Sequence, residues 1–394
     1  MKLPLIKADL PPLADMAAEF DEILQNGKIT NFGRHVEGFE REASDYLGVP
    51  VATTSSATAG LIMTLQGIGV AKGSRVLLPS FSFVATAQAV RYADAIPTFV
   101  DIGEDGNISP RDLTAALEHY KDVSAVIGVH MYGLPCDVDG IEAAVRAAYA
   151  RTGRTIRVIY DAAHAFGSER RGIRIGGFGD AEVFSLSVTK VLTSVEGGLV
   201  ASRDERLIHH VRKARNYGIE SNYNARFPGL NGKMSEFHAI VGRHNLRRLP
   251  ELISKRREKS SRYASLIHQK TSCRVMAPEP DSISTFKDFT VLLPSQLKSA
   301  RDRMMKALVD RGVETRAYFY PPIHEQDFFR TFADRDLPTT EDIARRVITL
   351  PFYTAISEAE MSYAAEALAH AEAEAGQEAA LSAAPSRSGR QEAR

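Results

Sequence analysis

The sequence predicts an α/β protein with a mostly parallel central sheet in a large domain, followed by a smaller α+β domain. Two observations predict this class. Between residues 50 and 202, short apolar or β-branched runs alternate with helix-like segments, as in repeated strand-helix units. Beyond about residue 246 the alternation stops and a long charged, helix-like run begins. We therefore expect a large domain over 1–245, which includes the N-terminal segment, and a small domain over 246–370.

The predicted strands of the large domain are short apolar runs, which are typical of strands buried on both faces. They are VAT at residue 51, RVLLPS at 75, PTFVDI at 97, AVIGVHM at 125, RVIYDAA at 157, EVFSLS at 182 and GLVAS at 198. Residues 137–152 predict a crossover helix, because an Asp precedes apolar residues at helical spacing.

The small domain is predicted from a different pattern. A charged helix begins near residue 247, and strands follow at CRVMAP and DFTVLLP. A helix at SARDRMMKALVDRG then precedes a strand at VETRAYFY. Residues 371–394 are rich in Ala, Glu, Ser and Arg. Because they lack apolar periodicity, we expect a disordered tail.

Composition excludes several classes of function. Lys plus Arg and Asp plus Glu both number 49 in the 394 residues, so no net field attracts nucleic acid or an anionic membrane. No apolar run reaches the roughly eighteen residues of a membrane span, and the start lacks a secretory pattern. We expect a cytoplasmic protein. Cys136 and Cys273 have no metal-ligand spacing, so we expect plain thiols and no metal site.

Polar clusters follow several predicted strands at their carboxyl ends. In open α/β sheets, ligands bind at this edge. The sequence therefore predicts that one crevice collects the following segments: Ser55–Thr58, Phe81–Phe83, His130–Tyr132, Asp161–His164 and Ser185–Lys190.

Each of these segments also has an ordinary interpretation. Ser56 and Thr58 open a helix, where free N–H groups form a phosphate seat, although simple capping is the commoner role. Asp161 ends an apolar strand, where a carboxylate either faces a cation or caps the next helix. Lysines such as Lys190 are mostly solvated. In combination with Phe83, however, these residues are the parts that hold a pyridine ring, its phosphate and its aldehyde.

This combination points to pyridoxal phosphate. The cofactor acts as an electron sink if a buried carboxylate keeps its ring nitrogen protonated and a lysine holds its aldehyde as an imine. The sequence therefore predicts Asp161 and Lys190 as the catalytic residues.

Seven ordered motifs also resemble one family, the DegT/StrS-type sugar aminotransferases. The motifs are SSATAGL, PSFSFVATAQAV, PTFVDI, VHMYGLPCDV, YDAAHAFG, FSLSVTK followed by EGGLV, and GLNGKMSEFHA. The similarity runs from LPPLADMAAEF to LPFYTAISEAEM, so it covers nearly all of the chain except the tail. It implies fold type I of the pyridoxal phosphate enzymes, the aspartate-aminotransferase fold.

The resemblance also implies a role for each matching residue. Lys190 would form the imine, Asp161 would pair with the pyridine nitrogen, Phe83 would stack on the ring and His164 would lie near the phenolic oxygen. The phosphate would be held by Ser56, Thr58, the backbone of Ala59, Ser185 and Asn231. In the family this Asn reaches in from the other subunit, so the expected unit is a homodimer with shared active sites.

Several positions depart from the family pattern. Ala57 replaces a common Gly, Ser187 a frequent His or aromatic residue, Val191 a common Asn and Lys233 a frequent Arg. These differences leave the cofactor chemistry in place but weaken inference of the substrate. Arg34, Arg226, Lys233 and Arg316 are candidate cations for a substrate diphosphate, with ordinary surface charge as the alternative interpretation.

The implied activity is transfer of an amino group from glutamate to a nucleotide-linked keto-deoxysugar, with a 4-keto sugar as first choice and a 3-keto sugar as second. The alternatives are an aminotransferase of a cyclitol or other non-nucleotide ketone, and a non-catalytic regulator that binds pyridoxal phosphate. Related sugar dehydratases typically carry His in place of the lysine, so Lys190 argues against that activity.

Overall fold

The computed structural model describes residues 2–383. The strands of the protein are β1 (Val51–Thr54), β2 (Arg75–Pro79), β3 (Ile96–Val100), β4 (Val123–Val129), β5 (Arg157–Asp161), β6 (Glu169–Arg170), β7 (Ile173–Arg174), β8 (Ala181–Ser185), β9 (Gly198–Ala201), β10 (Ile219–Ser221), β11 (Asn224–Ala225), β12 (Arg274–Val275), β13 (Ser282–Ile283), β14 (Phe289–Leu292) and β15 (Val347–Leu350).

The helices are α1 (Leu13–Asn26), α2 (Arg34–Leu47), α3 (Ala57–Gly67), α4 (Ala85–Tyr92), α5 (Pro110–His119), α6 (Val138–Thr152), α7 (Glu205–Ala214), α8 (Glu236–Lys270), α9 (Arg301–Asp310), α10 (Pro338–Ala344) and α11 (Glu358–Ala383). Within the described residues, none of these helices combines the length and the apolar character that a membrane crossing requires.

A seven-stranded sheet forms the centre of the large domain, in the order β1-β9-β8-β5-β4-β2-β3. Strands β8, β5, β4, β2 and β3 pair in parallel, and β9 runs antiparallel to both of its neighbours. Every strand predicted from the sequence in residues 50–202 is present. The predicted α/β class with a mostly parallel sheet is therefore confirmed.

Helices cover both faces of this sheet because side chains alternate between the faces along each strand. Val76 and Leu78 pack into the apolar layer under α3, α4 and α7. Leu77 packs on the other face with α5 and α6, and α2 and the first part of α8 extend that layer. Asp137 caps α6, the predicted crossover helix, by accepting the N–H of Gly140 at 3.2 Å. This three-layer arrangement leaves the carboxyl ends of the parallel strands open.

The smaller domain is built on the antiparallel sheet β12-β14-β15, against which α9, α11 and the end of α8 pack. Its boundary differs from the predicted one at 245/246, which falls inside the continuous helix α8. Ile253 packs in the large-domain core and Tyr263 in the small-domain core, so the change occurs within the helix. The N-terminal segment also differs, because Leu3 lies in the small-domain core.

The predicted strand VETRAYFY is wrong. In this segment Val313 forms an isolated bridge with Leu3, and Arg316 forms another with Thr349. The two residues therefore pair with different parts of the chain. A continuous ladder cannot form on partners that change within three residues, and the segment instead leads to the cleft described below.

The predicted disordered tail is wrong for its first part. Helix α11 continues to Ala383, and both Ala371 and Ala375 are buried in the small-domain core. Alanine has the lowest intrinsic cost of helix formation, and small residues one helical turn apart can form a packing face without large apolar side chains. Residues 384–394 of the predicted tail lie outside the described residues.

Candidate active site

A cleft of about 330 Å³ opens at the carboxyl ends of β1, β5 and β8. Lys287 of the smaller domain and the segment at Tyr318 and Phe319 form its opposite wall. Most of the site residues predicted from the sequence line this cleft: Ser56, Thr58, Phe83, Asp161, His164, Ser185 and Lys190. The structure thus brings them together, as expected for polar residues that follow neighbouring strands.

Helix α3 begins at the cleft and provides an anion seat. The backbone of Ser56 is extended, and its hydroxyl accepts the N–H of Ala59 at 3.1 Å, which is an N-cap. The remaining first-turn N–H groups have no partner within the helix, and the helix dipole favours an anion there. Thr58 lies in this first turn and lines the cleft. Capping and phosphate binding are therefore compatible at this site.

The close approach of β9 to this turn requires a glycine. A Cβ atom on Gly198 would lie 2.6 Å from the backbone N of Ala57 and 2.6 Å from the backbone C of Ser56. This contact explains the second Gly of the EGGLV motif. Ala57 itself is the first residue of α3, so alanine fits at the position where the family commonly has glycine.

Asp161, the last residue of β5, is buried at the base of the cleft. Its Oδ2 accepts the hydroxyl of Thr86 at 2.7 Å, and its Oδ1 accepts the N–H of Ala163 at 3.1 Å. Burial raises the pKa of Asp161, while these two hydrogen bonds and the charge of Lys190 oppose the rise. Both hydrogen-bond donors are uncharged. The carboxylate would therefore be stabilised by a cation in the cleft.

Lys190 is half-buried and lines the same cleft. Burial, with a contribution from the nearby Lys287 ammonium, lowers the pKa of Lys190 to about 7. The carboxylates of Asp288, Asp161 and Glu196 oppose this shift. A large share of the Lys190 side chain is therefore the neutral amine at neutral pH, which is the form that acts as a nucleophile or accepts a proton.

This lowered pKa gives a test of the expected attachment of pyridoxal phosphate to Lys190. In cofactor-free protein, we expect the rate of covalent attachment to Lys190 to rise as the pH rises through about 7 and then to level off. The protonated ammonium has no lone pair, and its fraction falls with increasing pH. Stopped-flow absorbance measures this rate. Lys287→Met should move the midpoint upward by removing a neighbouring cation, whereas a wild-type midpoint near 10.5 would contradict the expectation.

The rings of His164 and Phe83 line the cleft, and each lies near the ring of Phe319. The Phe83 ring is 58% exposed, and its centroid lies 6.0 Å from that of Phe319. The His164 ring stacks on Phe319 with centroids 6.3 Å apart. Burial, and secondarily Lys190 and Lys287, hold the pKa of His164 well below its usual range. The imidazole is therefore neutral at neutral pH.

Asn231 is not part of this cleft in its own chain. It is exposed and forms an isolated bridge with Asn216. The carbonyl of the next residue, Gly232, accepts the N–H of Ser55 at 2.7 Å. The Asn231 segment therefore lies beside the turn that leads into α3. Its predicted role in the partner's site stays a prediction.

The candidate cations for a diphosphate also lie outside the cleft wall, and each has a partner of its own. These contacts are Arg34 with Glu22, Arg226 with Glu220 at 3.1 Å, Arg316 with Glu314 at 3.0 Å, and Lys233 with the Asn216 side chain at 3.4 Å.

Sequence reasoning missed several residues of the site. The Thr86 hydroxyl, which donates to Asp161, also forms a hydrogen bond with the Ser82 hydroxyl, with 2.8 Å between the two oxygens. The spacing of Ser82 and Thr86, one helical turn apart in PSFSFVATAQAV, could have indicated that they interact. Lys287 and Asp288 gave no such signal, because a Lys-Asp pair before a strand is usually solvated.

One cluster outside the cleft has side chains of metal-ligand type. His324, Glu325 and Glu341 approach one another within 4.8 Å. Arg345 already pairs with both carboxylates, with N–O distances of 2.6 Å to Glu325 and 3.1 Å to Glu341. The charge of these carboxylates is therefore balanced by an arginine, and we assign no metal to them.

The cleft fits pyridoxal phosphate. The buried Asp161 suits a protonated ring nitrogen, and the N-terminus of α3 suits the phosphate. Lys190 offers an amine of lowered pKa in the same cleft, and Phe83 presents an open aromatic face. The cleft volume of about 330 Å³ lies within the range of small-molecule sites.

Comparison with known proteins agrees with this geometry. The model of the DegT/DnrJ/EryC1/StrS aminotransferase family matches residues 13–369. A dTDP-4-amino-4,6-dideoxy-D-glucose transaminase from Escherichia coli is 30% identical, over 90% of this chain and 95% of its own. A UDP-N-acetyl-3-dehydro-alpha-D-glucosamine 3-aminotransferase from Acidithiobacillus ferrooxidans is also 30% identical, over 89% of this chain and 95% of its own.

A solved structure of one relative is similar to this chain over nearly its whole length. DesI, crystallised in the presence of its TDP-sugar product, superimposes with a TM-score of 0.86 at 32% identity. The match covers 97% of this chain and 95% of that chain. The predicted fold type I is thereby confirmed, and so is the predicted cofactor. The chain therefore belongs to the DegT/DnrJ/EryC1/StrS aminotransferase family and is a pyridoxal-phosphate-dependent aminotransferase.

Proposed function

We propose that this enzyme transfers an amino group from glutamate to a nucleotide-linked keto-deoxysugar, and that the 4-keto sugar is its preferred acceptor. The observation that carries the proposal is the single cleft that holds Lys190, Asp161 and the N-terminus of α3. The relatives named above support the nucleotide-linked acceptor. One is a 4-amino-4,6-dideoxyglucose transaminase and another acts at C3, so a 3-keto sugar is the second choice.

Each cleft residue has a definite task in this proposal. When bound, pyridoxal phosphate supplies the electron sink. Asp161 keeps the ring nitrogen protonated, and Thr86 and Ala163 hold the Asp161 carboxylate in place. Ser56, Thr58, Ala59 and Ser185 hold the phosphate at the start of α3, and Phe83 covers a face of the ring.

Lys190 serves as the proton carrier. A group with a pKa of about 7 can both give and accept a proton near neutral pH. Lys190 would remove the proton from the carbon of glutamate that bears the amino group, and would deliver a proton to the corresponding carbon of the sugar in the second half of the cycle. Because one lysine would move the proton for both substrates, donor and acceptor would use the same cleft in turn.

The cleft also offers polar groups to a sugar. Ser187, Thr189 and Glu196 line it near Lys190 and can hydrogen-bond hydroxyl groups. Among the lining residues the cations are Lys190 and Lys287. A substrate diphosphate would therefore need cations that lie outside the cleft wall, and we propose Arg34 at the start of α2 and Arg226 after β11 as these cations.

Amination of defined ketones tests the acceptor. The enzyme with its cofactor in the pyridoxamine form is incubated with 3-keto and 4-keto sugar nucleotides, the same sugars without nucleotide, and a keto cyclitol. We expect the absorbance of the lysine-bound cofactor to return with the 4-keto sugar nucleotide, and NMR to locate the new C–N bond at C4. Amination only at C3, or only of ketones without a nucleotide, would overturn the choice of acceptor.

We further propose a homodimer in which Asn231 completes the partner's site. The hairpin of β10 and β11 precedes Asn231, and its turn residue Tyr223 is 94% exposed. Tyr217 and Leu230 in the same segment are also exposed apolar side chains. Several exposed apolar side chains in one segment are consistent with a subunit contact there.

Subunit mixing tests the shared site. We expect Lys190→Ala and Asn231→Ala chains, each inactive or weak alone, to recover up to about a quarter of wild-type activity when mixed, because half of the dimers carry one intact site in two. Recovery is measured as initial rate after proven subunit exchange. Lys190→Ala mixed with Asp161→Asn is the control without recovery. If the Asn231 mixture behaves like this control, Asn231 acts within its own chain or not at all.

A further inference from the structure

Two buried polar atoms face each other at the boundary between the large and small domains. His164 Nδ1 and Asp288 Oδ2 lie 3.9 Å apart, and their side chains are 10% and 1% exposed. Within the described residues, neither atom has a hydrogen-bond partner. Unsatisfied buried polar atoms are uncommon because each costs desolvation free energy. Two of them face to face therefore indicate a function for the pair.

Asp288 is held firmly on its other side. Its Oδ1 accepts the ammonium of Lys287 at 2.7 Å, and the Lys287 side chain is only 5% exposed. This ion pair places a positive charge directly beside the buried side chain of Asp288.

The segment that carries Asp288 is fixed to both domains. Arg256 donates to the backbone carbonyls of Thr285 at 2.9 Å and Lys287 at 3.3 Å, and it also bonds that of Phe286. The hydroxyl of Thr285 donates to the carbonyl of His164 at 2.9 Å. Asp288 and His164 are thus held in a defined relation by main-chain contacts on either side.

We propose that Asp288 is a positioning residue that selects the tautomer of His164. Its Oδ2 accepts the Nδ1–H of the ring, so that Nε2 is left unprotonated on the side of the cleft. The inference rests on the proposed function for the role of His164 beside the phenolic oxygen of the cofactor. A bound cofactor would then meet the Nε2 lone pair of His164, and this atom could not donate a hydrogen bond.

The physical argument is one of donors and acceptors. Because the pKa of His164 is held well below its usual range by burial and by Lys190 and Lys287, the ring carries a single N–H. With the proton on Nε2, the Nδ1 lone pair would face a carboxylate oxygen in a buried space. With the proton on Nδ1, a small rotation closes the gap of 3.9 Å to a hydrogen bond.

Asp288→Asn should reverse the direction of the hydrogen bond between residue 288 and His164. Lys287 can only donate, so it keeps the amide oxygen of the new Asn on its own side. The NH₂ group then faces His164 Nδ1 and donates to it, which moves the ring proton to Nε2. Both side chains have nearly the same shape, so the substitution changes the hydrogen-bond direction with little change in packing.

Nitrogen-15 NMR of histidine-labelled protein reads the tautomer directly and needs no turnover. The chain has 11 His residues, and His164→Gln identifies the resonance by its loss. In the wild type we expect protonated Nδ1 and bare Nε2 at neutral pH, and in Asp288→Asn the reverse. Asp101→Asn, which removes a buried carboxylate that caps α10 away from the cleft, should leave the tautomer unchanged.

Turnover provides the second measurement. With the tautomer reversed, kcat should fall about tenfold or more, while Asp101→Asn keeps the wild-type kcat. If Asp288→Asn does not fold, the double variant Lys287→Met with Asp288→Leu removes both charges, and the His164 resonance should then show a mixture of tautomers.

Three results would overturn the inference: a wild-type ring protonated on Nε2, a tautomer that is the same in folded Asp288→Asn, or a reversed tautomer with unchanged kcat. The NMR result does not depend on which ketone is aminated. Failure of the proposed acceptor would therefore be seen in the ketone assays alone and would leave the tautomer result standing.

Discussion

Lys190→Ala is expected to lower the rate of transamination by at least about 10⁴-fold, because it removes the amine that we propose as both nucleophile and proton carrier. The fold should survive, since the side chain is half-buried and lines an open cleft. Rates are measured as glutamate-dependent conversion of the bound cofactor in single-turnover experiments. Circular dichroism and the Tm check that the variant is folded.

Two matched variants make this result specific. Lys190→Arg keeps a positive charge but holds it at nearly all pH values, so we expect it to be as inactive as Lys190→Ala. Lys255→Ala removes a lysine of helix α8 that pairs with Glu251 on the surface, and it should keep the wild-type rate. Substantial activity in Lys190→Arg would show that the charge of Lys190, and not its amine chemistry, is what the site requires.

Asp161→Asn is expected to lower the rate by at least about 1,000-fold, or roughly 4 kcal/mol of barrier. An amide in this position no longer stabilises a proton on the pyridine nitrogen, so the cofactor becomes a poor electron sink. Thr86 and Ala163 both donate hydrogen bonds to the Asp161 carboxylate. The new Asn side chain has only one acceptor oxygen, so it could accept only one of these bonds in the same way. The measurement is kcat with saturating cofactor, together with the affinity for pyridoxal phosphate.

Thr86→Val is a milder change at the same site, and its loss of activity can be compared with that of Asp161→Asn. It removes the hydroxyl that donates to Asp161 at 2.7 Å but keeps the carboxylate, so we expect a loss of roughly tenfold, about 1.4 kcal/mol. If Asp161→Asn lost no more activity than Thr86→Val, Asp161 would be a structural residue and not the partner of the ring nitrogen.

Much of the site could be predicted because it follows strand ends. Asp161 ends β5 and Ser185 ends β8, and both follow apolar runs that are visible in the sequence. In a parallel sheet such residues share one edge, so position in the sequence translates directly into proximity. The same rule applies to Lys190, Ser56 and Thr58, which line the cleft with only a few residues between each and its strand.

The parts that could not be predicted depend on contacts between distant segments. Asp288 meets His164 across more than a hundred residues of chain, and Arg256 sets that contact by binding three backbone carbonyls. No local pattern encodes such an arrangement. The extent of α11 was missed for a related reason, because Ala371 and Ala375 gain their burial from the small-domain core and not from apolar periodicity of their own.

The central claim is that Lys190 is the residue that binds the cofactor, and it is tested most directly by trapping that bond. The enzyme with pyridoxal phosphate is reduced with borohydride, digested and examined by mass spectrometry. We expect the added mass of the reduced cofactor on the peptide that contains Lys190, and no labelling of this peptide when glutamate is added before the reduction. Labelling at Lys287, the other lysine of the cleft wall, or at any surface lysine with Lys190 unmodified, would contradict the assignment of the site.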